Sequence, residues 1–151
     1  MLTLTRTADL AVHTGQLLGH SGWREITQDV VDDFARITGD DQWIHTDPER
    51  AKALPGGRTL VHGLYLLSLV PVLQREIWAV EHRGRGLNYG YERVRFIEPV
   101  STGSRVRLAQ SLIAVTPHAQ GTRLETSVAI ECEGLGRPAV TAHNILLIMN
   151  P

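Results

Sequence analysis

Asp40 and His45 follow Gly39 in the run Gly39-Asp40-Asp41-Gln42-Trp43-Ile44-His45. A carboxylate and an imidazole can hold a water molecule between them, the carboxylate accepting its proton while the imidazole fixes its orientation or passes a proton onward. Gly39 reads as a helix stop, and the turn after it holds side chains outside regular structure. Spacing alone does not separate this chemistry from a cap residue and a surface histidine. The other reactive residue types add little. His13, His20, His82, His118 and His143 show no paired ligand spacing, and with a lone cysteine no zinc pattern can be assembled, so no metal is expected. Cys132 lies between Glu131 and Glu133, which disfavour a thiolate, and it reads as a strand residue rather than a nucleophile. Gly84-Arg85-Gly86 lacks the strand-to-helix context of a phosphate loop, so no bound nucleotide cofactor is expected.

The elements that must carry Asp40 and His45 are legible on either side. Ile26, Val30, Phe34 and Ile37 recur at helical spacing behind Thr27 as N-cap, and Asp29 near the start complements the dipole. Asp47-Pro48-Glu49 caps a short helix running through Ala53, before the Pro55-Gly56-Gly57 turn. Residues 60–73 are apolar on every side, which suits a helix only when protein surrounds it. Strand-like alternation follows over residues 87–97, 105–115, 122–133 and 139–149, separated by Gly or Pro turns. On these strands Val94, Phe96, Val106 and Leu108 face the helix, while Arg93, Arg95, Arg105 and Arg107 face away. The class is α+β, an antiparallel sheet curled around a long central apolar helix.

Composition sets the outer limits. A chain of 151 residues matches one domain, residues 1–151, and its 42% hydrophobic and 21% charged content predicts order nearly throughout. A formal charge of −1 with scattered arginines offers no field for nucleic acid or acidic membranes. The N-terminus has no basic region followed by an apolar run and a small-residue cleavage site, so a cytoplasmic protein is expected. The most apolar segment, residues 64–73, is far short of the ~20 residues that span a bilayer, so no membrane partner is expected.

The wider context of the acid–base pair is more specific. Phe34-Ala35-Arg36-Ile37-Thr38-Gly39-Asp40-Asp41-Gln42-Trp43-Ile44-His45, with Ala51 following, resembles the signature of the MaoC-like, (R)-specific enoyl-CoA hydratases. That motif reads roughly G-D-x-N-P-aliphatic-H, and its catalytic Asp and His match Asp40 and His45. Thr59-Leu60-Val61-His62-Gly63-Leu64 resembles the family's second motif, an aliphatic-His-Gly-aliphatic step that opens the central helix. Asn88-Tyr89-Gly90, Val94-Arg95-Phe96 and Pro99-Val100 are similar to the strand and turn that follow, so the resemblance covers residues 26–106. It implies a single hot-dog domain, a homodimer, and an acyl-CoA thioester as substrate; the CoA arrives with the substrate, and no cofactor is needed.

Two positions depart from the common pattern. Gln42 stands where Asn is usual and offers the same amide from a longer stem. Trp43 stands where Pro is usual and either reshapes the acyl pocket or fills the core. The Gln-Trp-Ile-His form is similar to a nodulation protein N-like branch. Gly63, lacking a side chain at a helix start, lets a thioester carbonyl approach a free backbone N–H and so makes an oxyanion hole. Next to it, His62 reads as a hydrogen-bonded structural residue rather than a base or metal ligand. Ser68 either supports the site, as in resembling hydratases, or bonds a backbone carbonyl of its own helix. The expected activity is hydration of trans-2-enoyl-CoA to (R)-3-hydroxyacyl-CoA. A hot-dog thioesterase and a non-catalytic acyl-binding subunit stand as alternatives, and the G-D-x-x-x-I-H motif with Asp40, His45 and Gly63 together favours hydration.

Overall fold

The computed structural model describes all residues, 1–151. Along the chain come β1 (Leu2–Arg6), a 3-10 helix (Thr7–His13), β2 (Leu17–His20), β3 (Arg24–Glu25), α1 (Gln28–Thr38), α2 (Trp43–Thr46) and α3 (Pro48–Ala51). Then follow α4 (Gly63–Ser68), α5 (Val70–Gln74), β4 (Trp78–His82), β5 (Gly86–Phe96), β6 (Arg105–His118), β7 (Gly121–Cys132) and β8 (Val140–Met149). The main sheet is antiparallel with the order β2-β6-β7-β8-β5, and β3 also pairs with β6. β1 and β4 form a separate parallel pair. This α+β sheet-and-helix arrangement is the hot-dog fold.

The alternation read from β6 and β7 holds. Val106, Leu108, Leu112, Leu124, Val128 and Ile130 are buried toward the helices. On the outer face Arg105 reaches Glu133 at 3.3 Å and Arg107 reaches Glu131 at 2.7 Å across the two strands. β5 departs from the simple pattern. Its register to β8 shifts between Glu92 and Arg95, where Arg93 takes a φ of +53°, and Phe96 beyond the bulge is left 53% exposed. A bulge re-aims the side chains that follow it, yet the Phe96 ring still meets the start of α4 at Gly63, the helix it was expected to face.

Helix α1 begins after Thr27 and ends at Gly39, whose φ of +80° is left-handed and whose N–H donates to Ala35 O at 2.8 Å. Its buried face is centred on Val31 and Ala35. Ile37 lies roughly 140° around from that centre at 3.6 residues per turn and is 74% exposed, so it is not part of the core stripe. The central helix comes in two pieces. Pro71 has no N–H to continue the ladder, and the chain turns at Leu69 between α4 and α5. Leu66, Leu69, Val70 and Leu73 bury against the sheet, but Leu64 is 62% exposed and Val72 further along is also exposed, so this chain alone does not surround the helix. β1, β2, β3 and β4 lie ahead of residue 87, where no strand was expected. None of the helices is long and apolar enough to cross a membrane.

Candidate active site

Asp40 lies in the short loop between the left-handed cap of α1 and α2, whereas His45 is on α2 itself, a single turn rather than the loop expected. That turn is fixed from several sides. Thr46 Oγ1 donates to the carbonyls of Asp41 and Gln42, and Leu60 N–H donates to Ile44 O at 2.8 Å. The strip leading to Leu60 and Val61 is tied in turn to Val100–Thr102, with Val61 N–H on Val100 O and Thr102 N–H on Thr59 O.

The tautomer of His45 follows from these ties. Nδ1 lies 2.7 Å from Leu60 O. A carbonyl only accepts, so Nδ1 carries the proton and Nε2 of the neutral ring is left with its lone pair. His62 shows the opposite arrangement. Its Nε2 lies 2.9 Å from the backbone carbonyl of Asp40 and must donate, leaving Nδ1 buried with no partner. The two imidazoles stack with centroids 3.8 Å apart and planes 22° apart, and the Phe34 ring packs against His62 at 4.9 Å, tilted by 57°.

These groups open onto one cavity of about 380 Å³, a size ordinary for a small-ligand site. Asp40, His45, His62 and Gly63 supply its polar side, and Val61, Phe96, Ile97, Val100 and Val140 much of its apolar wall. Glu98, the other carboxylate in the lining, is engaged by Arg137 at 3.2 Å, which leaves Asp40 as the carboxylate free of a basic side chain other than His62. Gly63 begins α4, so its N–H has no acceptor within the helix. A Cβ there would stand 2.5 Å from Phe96 Cδ1, so the bare glycine already seats the edge of the Phe96 ring.

Of the residues singled out from sequence, Asp40, His45 and Gly63 thus meet in one cavity. Gln42, Trp43 and Ser68 do not line it. Gln42 precedes α2, is exposed and makes no capping bond, the Trp43 ring packs under the Arg50 guanidinium at 4.1 Å, and Ser68 Oγ donates to Tyr65 O at 2.6 Å. Sequence reasoning missed Gln28. From the first turn of α1 its Nε2 donates to the carbonyl of His45 at 2.8 Å, while its Oε1 accepts from the buried Thr59 hydroxyl, which also meets Thr102 at 2.9 Å. Only the position of Thr59 at the head of the second motif hinted at such a role.

Asp40, His45 and His62 each offer a donor atom within 4.8 Å of the others. Stacked rings direct their in-plane lone pairs side by side, whereas a metal needs them to converge at about 2.0–2.1 Å. Burial, more than Glu133, pushes the Cys132 thiol up, and the side chain is buried in the core. That is a poor setting for a nucleophile.

Residues 9–131 match the family model described as MaoC like domain. The chain belongs to the MaoC-like hydratase/dehydratase family. It is accordingly an enzyme of the hydro-lyase type. Among its relatives, 3-hydroxyacyl-thioester dehydratase Z of Mycobacterium tuberculosis is 46% identical over 147 residues, covering 97% of both chains. Nodulation protein N of Rhizobium leguminosarum is 40% identical over 145 residues, covering 93% of this chain and 89% of that one. In fold, the R-hydratase PhaJ1 from Pseudomonas aeruginosa superposes with a TM-score of 0.72 at 19% identity, over 91% of this MaoC-like chain and 81% of that one.

Proposed function

We propose that this MaoC-like enzyme adds water across the C2=C3 bond of trans-2-enoyl-CoA to give (R)-3-hydroxyacyl-CoA. The observation that carries this reading is the commitment of His45 Nδ1–H to Leu60 O, which leaves the Nε2 lone pair available beside the Asp40 carboxylate in one cavity. Both facing groups are then acceptors. A water that directs one O–H to each turns a lone pair toward the third direction, where C3 of the substrate lies.

In this mechanism the thioester carbonyl rests on the Gly63 N–H. Asp40 accepts a proton as the water oxygen bonds to C3, and the C2=C3 electrons move to form an enolate whose oxygen is stabilised by that N–H. The enolate collapses as C2 takes a proton from the Asp40–His45 pair, restoring the thioester. No metal or separate cofactor enters any step.

The same reading makes the protein cytoplasmic, one domain over residues 1–151, and homodimeric. β5 is an edge strand bonded only to β8, and it exposes Leu87, Tyr89 and Phe96. Such an open apolar edge invites pairing, and a second copy joined about a two-fold axis would cover it together with Leu64 of the central helix. The test is a panel of crotonyl-CoA and longer trans-2-enoyl-CoAs, read by loss of enoyl absorbance. Turnover on at least one chain length is expected, and no turnover across the panel would reject the substrate class.

A further inference from the structure

We infer that His62 is a positioning residue that sets the geometry of both catalytic groups, holding the main chain of Asp40 through Nε2–H and stacking on the ring of His45. The inference rests on the proposed roles of Asp40 and His45 and extends them to a third residue.

Asp40 needs such a hold. It follows a left-handed glycine in a short exposed loop, its side chain is 46% exposed, and its own N–H has only a long 3.3 Å contact to Thr38 Oγ1. Exposed loops of this kind move on the ns–μs scale. The 2.9 Å bond from His62 Nε2–H to Asp40 O fixes the peptide and with it the direction of Cβ, so the carboxylate can swing only about its own side-chain torsions. His62 is itself buried. It is 2% exposed at the cap of α4, and its ring packs against both Phe34 and His45. Because one face lies on His45, a displacement of either ring moves the other.

The unpartnered Nδ1 separates this role from packing. Burying a polar atom without a hydrogen bond is destabilising, and a phenylalanine at the same place would fill the aromatic stack without that cost. For packing alone, histidine is therefore the poorer choice. Donation to Asp40 O is what its Nε2–H supplies and a phenylalanine cannot.

The test uses two substitutions in the full-length protein. His62→Phe keeps the stack and removes the donor; His62→Gln loses the ring but carries an amide N–H at a similar reach. We expect His62→Phe to be as stable as wild type or more so, with kcat lowered about 10- to 10²-fold, the scale set by a misplacement of about 1 Å, and KM changed by less than about threefold. His62→Gln should recover most of kcat. Independently of activity, imidazole ¹⁵N spectra of the wild type should show His62 protonated on Nε2 and His45 on Nδ1. Wild-type kcat in His62→Phe, equal losses in the Phe and Gln variants, or the Nδ1–H form of His62 would each overturn the inference. Asp40→Ala in the same assay separates the two levels: an active Asp40→Ala removes the catalytic reading itself, whereas an inactive one beside a fully active His62→Phe removes only the role of His62. Should His62→Phe fail to fold, the Gln variant and the tautomer spectrum decide.

Discussion

The β6–β7–β8 half of the sheet and the segment from Gly39 to Gly63 hold their side chains by opposite means. In the sheet, main chain bonds to main chain along the length of the strands, with one register shift between Leu112 and Ala114, and alternate residues such as Leu108, Leu124 and Ile130 bury into the core. In the site segment the regular elements are single turns, and side chains tie down the main chain: Gln28 on His45 O, His62 on Asp40 O, Thr46 on Asp41 O and Gln42 O. A substitution in the sheet therefore removes burial and costs stability. At Asp40 or His45 a substitution leaves the core cluster intact and acts on the proposed chemistry, so it costs rate.

The largest effect is expected in the segment. Asp40→Ala and His45→Ala should each lower kcat by about 10²–10⁴-fold, the range for a positioned acid or base, with little change in thermal midpoint because neither side chain belongs to the buried core. Near wild-type turnover in either folded variant would remove that residue from the chemistry. The mirror case is Leu124→Ala, which empties a fully buried site in β7. It should cost about 2–5 kcal/mol, lowering Tm by on the order of 10 °C for a domain of this size, while kcat per folded molecule stays near wild type. A fall in kcat with no fall in Tm would break the division between the two regions.

Gly63 sits on the boundary, and its effect is expected to be smaller. Gly63→Val should lower turnover by about 10²-fold, comparable to loss of one oxyanion donor. It also brings a side chain against the half-exposed Phe96 ring, which must shift to admit it. The double variant Gly63→Val/Phe96→Ala sharpens the point. If it stays inactive, the bare glycine serves the substrate carbonyl; if activity returns, the glycine serves only to seat Phe96.

The same contrast explains what could be read in the sequence. Strands β5 to β8 were legible because alternation is a local signal, and the Gly39 stop of α1 was legible because that cap depends on one residue; Thr27 marks the start, although its side chain makes no capping bond. β1 and β4 were not, since each is five residues long and their parallel pairing joins positions some 75 residues apart, from Leu2 with Trp78 to Arg6 with His82. The apolar run of residues 60–73 was read as surrounded by protein, yet Leu64 and Val72 remain open on a single chain. Periodicity reports that a face is apolar without saying which molecule covers it. Within the site, the motif identified Asp40, His45 and Gly63. The clamps from Gln28 and His62 depend on side-chain to main-chain bonds spanning 17 and 22 residues, and no short motif encodes those.

The most direct measurement is chiral analysis of the product formed from trans-2-enoyl-CoA by the purified protein. Water held by Asp40 and His45 at one face of C3 should give predominantly (R)-3-hydroxyacyl-CoA, with that product lost in Asp40→Ala. Predominantly (S) product, or free CoA released with no hydroxyacyl species, would contradict the placement of that water and the reaction proposed for it.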